Sequence, residues 1–173
     1  MLKRLENTNL HHLVRLIFLC GLCASMVSCG FKLRSAVELP ADLQKIFIVG
    51  SVSSELVRDL KNSLQYSATI VKQQADADAI LSIVQEESTN RTLSVDSNGR
   101  IREAELQYSV TYNVKKANGD TVIDNDTLLL ARDYINDEND VIGRTNESNI
   151  ITRDLKRDAA QQILRRLHAL SNK

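Results

Sequence analysis

The sequence is poor in the residues that break, stiffen or cross-link a fold. Its 173 residues include no Trp, one Pro (Pro40), 6 Gly and 3 Cys. So little Gly and Pro excludes a collagenous or low-complexity chain. Positive charge is not in excess, because 22 Lys and Arg are balanced by 22 Asp and Glu. The chain therefore lacks the basic field of nucleic-acid-binding proteins, and we expect no nucleic-acid partner.

The first 28 residues have the pattern of a signal peptide. Lys3, Arg4 and Arg15 precede the uncharged run 16–27. At about 1.5 Å per residue, this run is too short to cross a hydrocarbon core of about 30 Å as a helix. It is therefore predicted to be a removable apolar region and not a permanent span.

The end of this run predicts a lipid anchor at Cys29. Ser28 places a small residue directly before the cysteine, as in the bacterial lipobox, where the thiol takes a diacylglycerol. Cys29 then begins a mature chain of residues 29–173, carrying diacylglycerol and an N-linked acyl chain such as palmitate. Several acyl chains hold a protein at a membrane stably. Gly30 is not the Asp that retains enteric lipoproteins at the inner membrane, so the expected destination is the outer membrane.

Two alternatives concern the cysteines. Cys29 can be a stray cysteine after an ordinary signal peptide. Cys20 and Cys23 form a Cys-x-x-Cys pair, but each follows a bulky Leu, unsuited to the cleavage position. The pair also lacks the second ligand pair or strand–helix context of a metal or redox site. The mature chain is thus expected to have no disulfide.

The mature chain has the pattern of one α+β domain. Residues 105–115 alternate polar and apolar side chains without exception, which predicts a strand over 106–116 with one buried face. The Asn-Gly pairs 98–99 and 118–119 predict hairpin turns on either side of it. The other predicted elements are strands at 45–49, 69–71, 79–95 and 122–134, a helix at 56–64 capped from 51–54, and a helix after Gly143. Two amphipathic helices on a small, mainly antiparallel sheet make a two-layer sandwich.

The sequence contains no pattern of a catalytic or metal site. His168 is the only histidine after Cys29, and there is no Gly-x-Ser-x-Gly, His-Glu-x-x-His or glycine-rich phosphate loop. The acidic run 137–140 lacks the Gly and distal Glu of a calcium loop. We therefore expect no enzyme activity, no metal and no cofactor beyond the acyl chains of Cys29.

Two polar features are candidates for binding. Arg91, Arg100 and Arg102 surround the Asn98-Gly99 turn, and Arg144 lies in the predicted loop before the last helix. Guanidinium groups can bind phosphates with two hydrogen bonds. The alternative is that these are ordinary surface charges, with Arg102 paired to Glu103 or Glu105. The second feature is the polar face of the central strand, formed by Gln107, Ser109, Thr111 and Asn113. That face lies either against water or against the polar lumen of a wide outer-membrane barrel.

Several segments resemble the lipopolysaccharide-assembly lipoprotein family, the LptE type, of the Gram-negative outer membrane. They are Cys29-Gly-Phe-Lys-Leu-Arg34, Leu39-Pro40, Asn98-Gly99 leading into Glu103-Ala-Glu-Leu106, Arg132-Asp-Tyr134, and Arg144-Thr-Asn-Glu147 leading into 158–167. These segments span the mature chain. Their order and spacing together support the resemblance more strongly than any single segment does.

The resemblance implies a non-enzymatic role in lipopolysaccharide transport. Members of this family form a one-to-one heterodimer with the large lipopolysaccharide-inserting β-barrel, plug its lumen from the periplasmic side, assist its assembly and bind lipopolysaccharide. Loop cations meet the ligand's phosphates, which points to Arg100, Arg102 and Arg144, with Arg91 as a further candidate. The alternatives are an accessory lipoprotein of another envelope complex, for phospholipid transport or barrel assembly, and a lipid-anchored hydrolase.

Overall fold

The structure is a computed structural model, and it describes Arg15, residues 39–51, 53–136 and 141–170. Apart from Arg15, the predicted signal peptide lies outside the described residues, as do Cys29 and the acidic run 137–140. Every element below belongs to the unit formed by residues 36–173. The strands are β1 (Lys45–Val49), β2 (Thr69–Ile70), β3 (Ala79–Val95), β4 (Ile101–Lys116) and β5 (Thr121–Ile135), and the helices are α1 (Glu55–Leu64) and α2 (Val141–Ala169).

The five strands form one sheet in the order β2-β1-β3-β4-β5. β1 lies parallel to β2 and to β3, whereas β3, β4 and β5 pair antiparallel as a meander. This confirms the predicted α+β class and a mainly antiparallel sheet. The β3–β4 turn and the last residues of β5 share one end of the sheet, which we call the tip.

The alternate apolar residues of β4 form one face of the hydrophobic core. Every second residue from Ala104 to Val114 is buried, and Tyr108 and Tyr112 are almost completely so. Both helices bury their apolar sides together with this face in a single hydrophobic cluster. The opposite face of β4 has no helix over it among the described elements. The sheet therefore has one covered face and one open face.

Each helix begins where local chemistry favours it. The hydroxyl of Ser54 accepts a 3.3 Å hydrogen bond from the backbone N–H of Val57 and caps α1. The predicted start of α2, after Gly143, was wrong. The helix begins at Val141 and includes Gly143 and Arg144. A single glycine costs a helix only about 1 kcal/mol, so Gly143 does not end it. Arg144 consequently lies in the first turn of α2 and not in a loop.

Candidate functional site: a cationic sheet tip and an open polar face

Arg100 follows the turn that joins β3 to β4. The N–H of Asp96 donates to the carbonyl of Arg100 at 2.8 Å, and that of Gly99 donates to Asp96 at 3.0 Å. Gly99 has φ 77°, and no other residue type among those described has a positive φ. Asn98 therefore does not share the positive φ of a two-residue Asn-Gly turn. The loop is instead a three-residue hairpin connection closed by glycine.

Asp96 fixes the side chain of Arg100 beside this turn. Its Oδ2 accepts hydrogen bonds from Nε and Nη2 of Arg100, both at 2.8 Å. Its Oδ1 accepts the N–H groups of Asn98 and Arg100 at 2.8 and 3.0 Å. The Arg100 N–H, followed by that of Asn98 and the guanidinium, holds the pKa of Asp96 below its usual value, against a smaller opposing effect of desolvation. A ligand anion must therefore compete with Asp96 for Arg100.

Asn136 brings the other two tip arginines together. Its N–H donates to the carbonyl of Arg102 at 2.8 Å, and its Nδ2 donates to the carbonyl of Ile101 at 2.9 Å. Its Oδ1 accepts a 3.2 Å hydrogen bond from Nη1 of Arg144. One asparagine thus joins the end of β5, the start of β4 and the first turn of α2. No sequence pattern marks Asn136, because its role depends on three elements that meet only in the folded chain.

Arg102 is the tip arginine that is open to a new partner. The predicted pairing with Glu103 or Glu105 is not found: Glu103 accepts from the hydroxyl of Ser94 at 2.8 Å, and Glu105 is bound to Arg91. Arg102 is exposed, and within the described ranges its guanidinium forms no ion pair and no hydrogen bond. It is the best placed of the candidates to bind an anion.

Arg91 differs from the other three candidates. It lies four residues before Val95 on β3, and its Nε and Nη2 contact Oε1 of Glu105 at 3.1 and 3.0 Å. The same oxygen accepts from Nε2 of Gln107 at 2.6 Å. The charge of Arg91 is therefore compensated on the sheet face. The structure brings Arg100, Arg102 and Arg144 to the tip and leaves Arg91 outside that group.

The open face of β4 is polar along its length, as the alternation predicted. Thr111 and Thr127 share a 2.9 Å hydroxyl hydrogen bond, and Asn113 donates to Asn125 of β5 at 3.0 Å. Such cross-strand pairs fix the side chains of a sheet face. The face can offer many hydrogen bonds to a polar partner surface without reorganising.

Metal binding and membrane crossing have no structural basis in the part of the chain that is described. There, no group of three or more His, Cys, Asp or Glu is placed to hold a metal ion. His168 lies in the last turn of α2. No helix in the described ranges combines the length and apolar character needed to cross a membrane. The arrangement is suited to binding anions and polar surfaces.

Comparisons with known proteins cover most of the chain. The profile of the LptE, lipopolysaccharide-assembly, family matches residues 39–167. Over 160 residues the chain is 24% identical to the LPS-assembly lipoprotein LptE of Photorhabdus laumondii, covering 91% of this chain and 87% of that protein. It is 27% identical to the protein of the same name in Yersinia enterocolitica over 156 residues, covering 88% of this chain and 74% of the relative.

Solved structures show the same fold. The solution structure of an uncharacterised lipoprotein B from Nitrosomonas europaea superposes with a TM-score of 0.70 at 29% identity, covering 83% of this chain and 93% of the other. The crystal structure of the rare lipoprotein B of Shewanella oneidensis gives a TM-score of 0.65 at 22% identity, covering 73% and 95%. The similarity to the Shewanella oneidensis structure shows a shared fold and nothing more.

Proposed function

The chain belongs to the LptE family of lipopolysaccharide-assembly lipoproteins, and from this premise we propose that it plugs the lipopolysaccharide-inserting β-barrel of the outer membrane and binds lipopolysaccharide at its sheet tip. In this proposal Cys29 carries the lipid anchor on the periplasmic side. The folded domain sits in the barrel lumen as a one-to-one partner and assists the barrel's assembly. Its role is binding and not catalysis.

The observation that carries the ligand-binding part is the meeting of Arg100, Arg102 and Arg144 at one end of the sheet. Lipid A phosphates are bridged by divalent cations in aggregates, and guanidinium groups can replace those cations with paired hydrogen bonds. Arg102 is open for such a contact, while Arg144 is positioned by Asn136. A phosphate that binds Arg102 can then also bind the Arg100 guanidinium in place of the Asp96 carboxylate.

The open polar face supports the plug. Large barrels have polar interiors, and the face around Thr111 and Asn113 offers hydroxyl and amide groups held by cross-strand partners. The helices occupy the other side of the sheet. Such a domain can contact a barrel wall through hydrogen bonds without exposing its core.

A charge-reversal experiment tests the ligand-binding part. The full acylated lipoprotein with Arg100→Glu, Arg102→Glu and Arg144→Glu is compared with wild type for retention of labelled lipopolysaccharide. A control with Lys45→Glu, Lys72→Glu and Lys115→Glu changes net charge equally with exposed residues away from the tip. We expect retention to fall at least about tenfold in the tip variant and little in the control. Unchanged retention in the tip variant would refute this part.

A pull-down tests the partner. The tagged, acylated protein is purified from detergent-solubilised outer membranes, and proteins recovered at equal stoichiometry are identified by mass spectrometry. We expect the lipopolysaccharide-inserting barrel. Recovery of a phospholipid transporter or the barrel-assembly complex in its place would overturn the plug assignment and support an accessory role elsewhere in the envelope.

A further inference from the structure

β5 is an edge strand along its whole length. It stands last in the sheet order β2-β1-β3-β4-β5, so no strand of the described part of the chain pairs with its outer side. An exposed edge presents unpaired backbone N–H and C=O groups. Proteins normally protect such an edge with proline, lysine, a β-bulge or a covering segment. Without this protection, an edge is a place where a further strand can add.

The edge of β5 lacks these protective features from Asp126 to Ile135. This segment pairs with β4 in an unbroken register, so it contains no bulge, and it contains neither proline nor lysine. Its one basic residue, Arg132, is directed toward α2, where its guanidinium lies 3.6 Å from Asp154 and 3.4 Å from Asp158. The free side of β3 differs, because β-bulges interrupt its register with β4. β5 is therefore the edge more suited to strand addition.

Three consecutive leucines lie at the middle of this edge. Leu129 lies on the open face and is 65% exposed. Leu128 and Leu130 pair with Val110 and Tyr108 and lie on the helix side of the sheet. An exposed leucine beside an unpaired backbone is a surface that a second polypeptide can cover.

The segment from Asp126 to Arg132 is complementary to itself in the antiparallel direction. When two copies are paired about Leu129, aliphatic residues oppose aliphatic ones and an acid opposes a base. The pairs are Leu128 with Leu130, Thr127 with Ala131, and Asp126 with Arg132. Opposed aliphatic side chains and opposed charges both stabilise a pair of strands. A pairing centred one residue to either side would place a charged residue opposite a leucine.

The symmetry of this pairing is that of a two-fold dimer. In such an interface each copy uses the same surface, and residue i contacts residue j of the other copy while j contacts i. An axis perpendicular to the sheet keeps the helices of both copies on one side and both open faces on the other. Asp126 already contacts Arg166 of α2, and Arg132 contacts Asp154 and Asp158. The pairing would therefore join the ion pairs of the two copies.

We propose that free copies of this lipoprotein associate through β5 as an antiparallel two-fold dimer, in which Asp126 to Arg132 of each copy pair about Leu129 and the two sheets become one. This inference goes beyond the proposed function, because it concerns the lipoprotein before it pairs with the barrel. The dimer covers an edge that would otherwise promote aggregation. It must separate before a one-to-one complex with the barrel can form.

Cysteine cross-linking tests the pairing and its register. The full acylated lipoprotein is purified in detergent without the barrel, oxidised mildly with copper phenanthroline and analysed on non-reducing gels. Leu129→Cys places the two thiols directly opposite each other, where a disulfide can form. We expect disulfide dimer to form at least about tenfold faster than in the control Val84→Cys, whose position on β3 is 56% exposed. Wild type gives the background from the native cysteines.

Two further cysteine variants fix the register. The cysteines of Thr127→Cys lie about 13 Å apart in the dimer, as do those of Ala131→Cys, because each pairs four residues away from its own copy. Each variant alone should therefore cross-link at the background rate, whereas an equal mixture of the two should cross-link like Leu129→Cys.

A lysine on the edge tests the association without cross-linking. Leu129→Lys opposes two like charges at the axis, and its exposed position leaves the core intact. Sedimentation over a range of concentrations should show a dimer dissociation constant at least about tenfold higher than that of wild type. Val84→Lys is the control and should dimerise like wild type. Far-ultraviolet circular dichroism of each variant checks that the fold is kept.

Three results would overturn the inference. If wild type sediments as a monomer at every concentration, the edge does not bind a second copy. If the three cysteine variants of β5 cross-link equally well alone, the contact has no register and the paired strands are wrong. If Leu129→Cys forms a disulfide with another envelope protein and not with itself, the edge serves that partner. None of these results bears on barrel recovery or lipopolysaccharide retention, so the proposed function is judged separately.

Discussion

The hydroxyl of Tyr108 donates a 2.8 Å hydrogen bond to Oε2 of Glu86 on the neighbouring strand. The other oxygen of Glu86 accepts a 2.7 Å hydrogen bond from Ser54, the N-cap of α1. The register explains this meeting, because it shifts at Val84 between Ile83 and Gln85. That bulge moves the inward positions of β3 from odd to even residues and turns Glu86 toward the helix layer. One carboxylate therefore joins two strands to the beginning of a helix.

Removing the Tyr108 hydroxyl should weaken the fold measurably. Tyr108→Phe keeps the ring in the core but leaves Glu86 with one fewer donor, and hydrogen bonds to a charged group contribute about 1.5–3 kcal/mol. We expect the free energy of unfolding to fall by about 1–2 kcal/mol in urea titrations. Tyr66→Phe is the control, because Tyr66 is 74% exposed. Equal stability of wild type and Tyr108→Phe would show that the hydrogen bond contributes nothing.

The same tyrosine predicts a loss of stability at alkaline pH. Burial, and secondarily the hydrogen bond and charge of Glu86, raise the pKa of Tyr108 above its usual value; burial also raises the pKa of Tyr112. The folded state thus binds the phenolic protons more tightly than the unfolded state. This stability is complete below the unfolded pKa of about 10 and declines as pH rises above it, by up to about 1.4 kcal/mol per pH unit for each tyrosine.

Urea titrations at several values between pH 8 and pH 11 measure this decline. Tyr108→Phe should show a shallower fall than wild type, because one of the two buried phenols is absent. Identical slopes for the two proteins would contradict the assignment to Tyr108.

The sequence predicted this fold well where the pattern is local. The strict alternation of β4 identified its buried face, and Ser54 was within the predicted cap. The bulge at Val84 was not predicted. One extra residue reverses the faces of the side chains that follow it, but in a mostly polar segment this reversal does not disturb any apolar alternation. The site was predicted in part: Arg100, Arg102 and Arg144 share the tip, whereas the position of Arg91 and the role of Asn136 depend on pairing between distant segments.

Gly99 should not tolerate a side chain that disfavours positive φ. An added Cβ would meet no atom within 4 Å, but the residue has φ 77°. Gly99→Ala should therefore lower the free energy of unfolding by about 1 kcal/mol through backbone strain alone. Gly99→Asn should cost less, because asparagine adopts this region more readily. Thermal unfolding of both variants decides this, and an alanine variant as stable as wild type would mean that the turn changes its conformation.

Ser54 should contribute more than an ordinary surface serine. Its hydroxyl both caps α1 and donates to Glu86. Loss of a helix N-cap costs about 1 kcal/mol, up to about 2, so Ser54→Ala should lower stability by at least that amount. Ser53→Ala is the matched control, because Ser53 is exposed and, among the described residues, its hydroxyl hydrogen-bonds only to that of Ser51. A double variant with Tyr108→Phe should be non-additive, since both residues bind the same carboxylate.

Asn136 should control ligand binding without being a principal contact of the ligand. Its Oδ1 positions Arg144, and its Nδ2 fixes the carbonyl of Ile101 at the tip. Asn136→Ala removes both bonds and no positive charge, but it releases the Arg144 side chain, so lipopolysaccharide affinity should fall several-fold while stability changes by about 1 kcal/mol or less. Asn125→Ala is the control, because it removes a similar exposed amide contact, that with Asn113, farther from the tip. If both asparagine variants bind lipopolysaccharide like wild type, Arg144 acts without being held, and the tip is not a preorganised site.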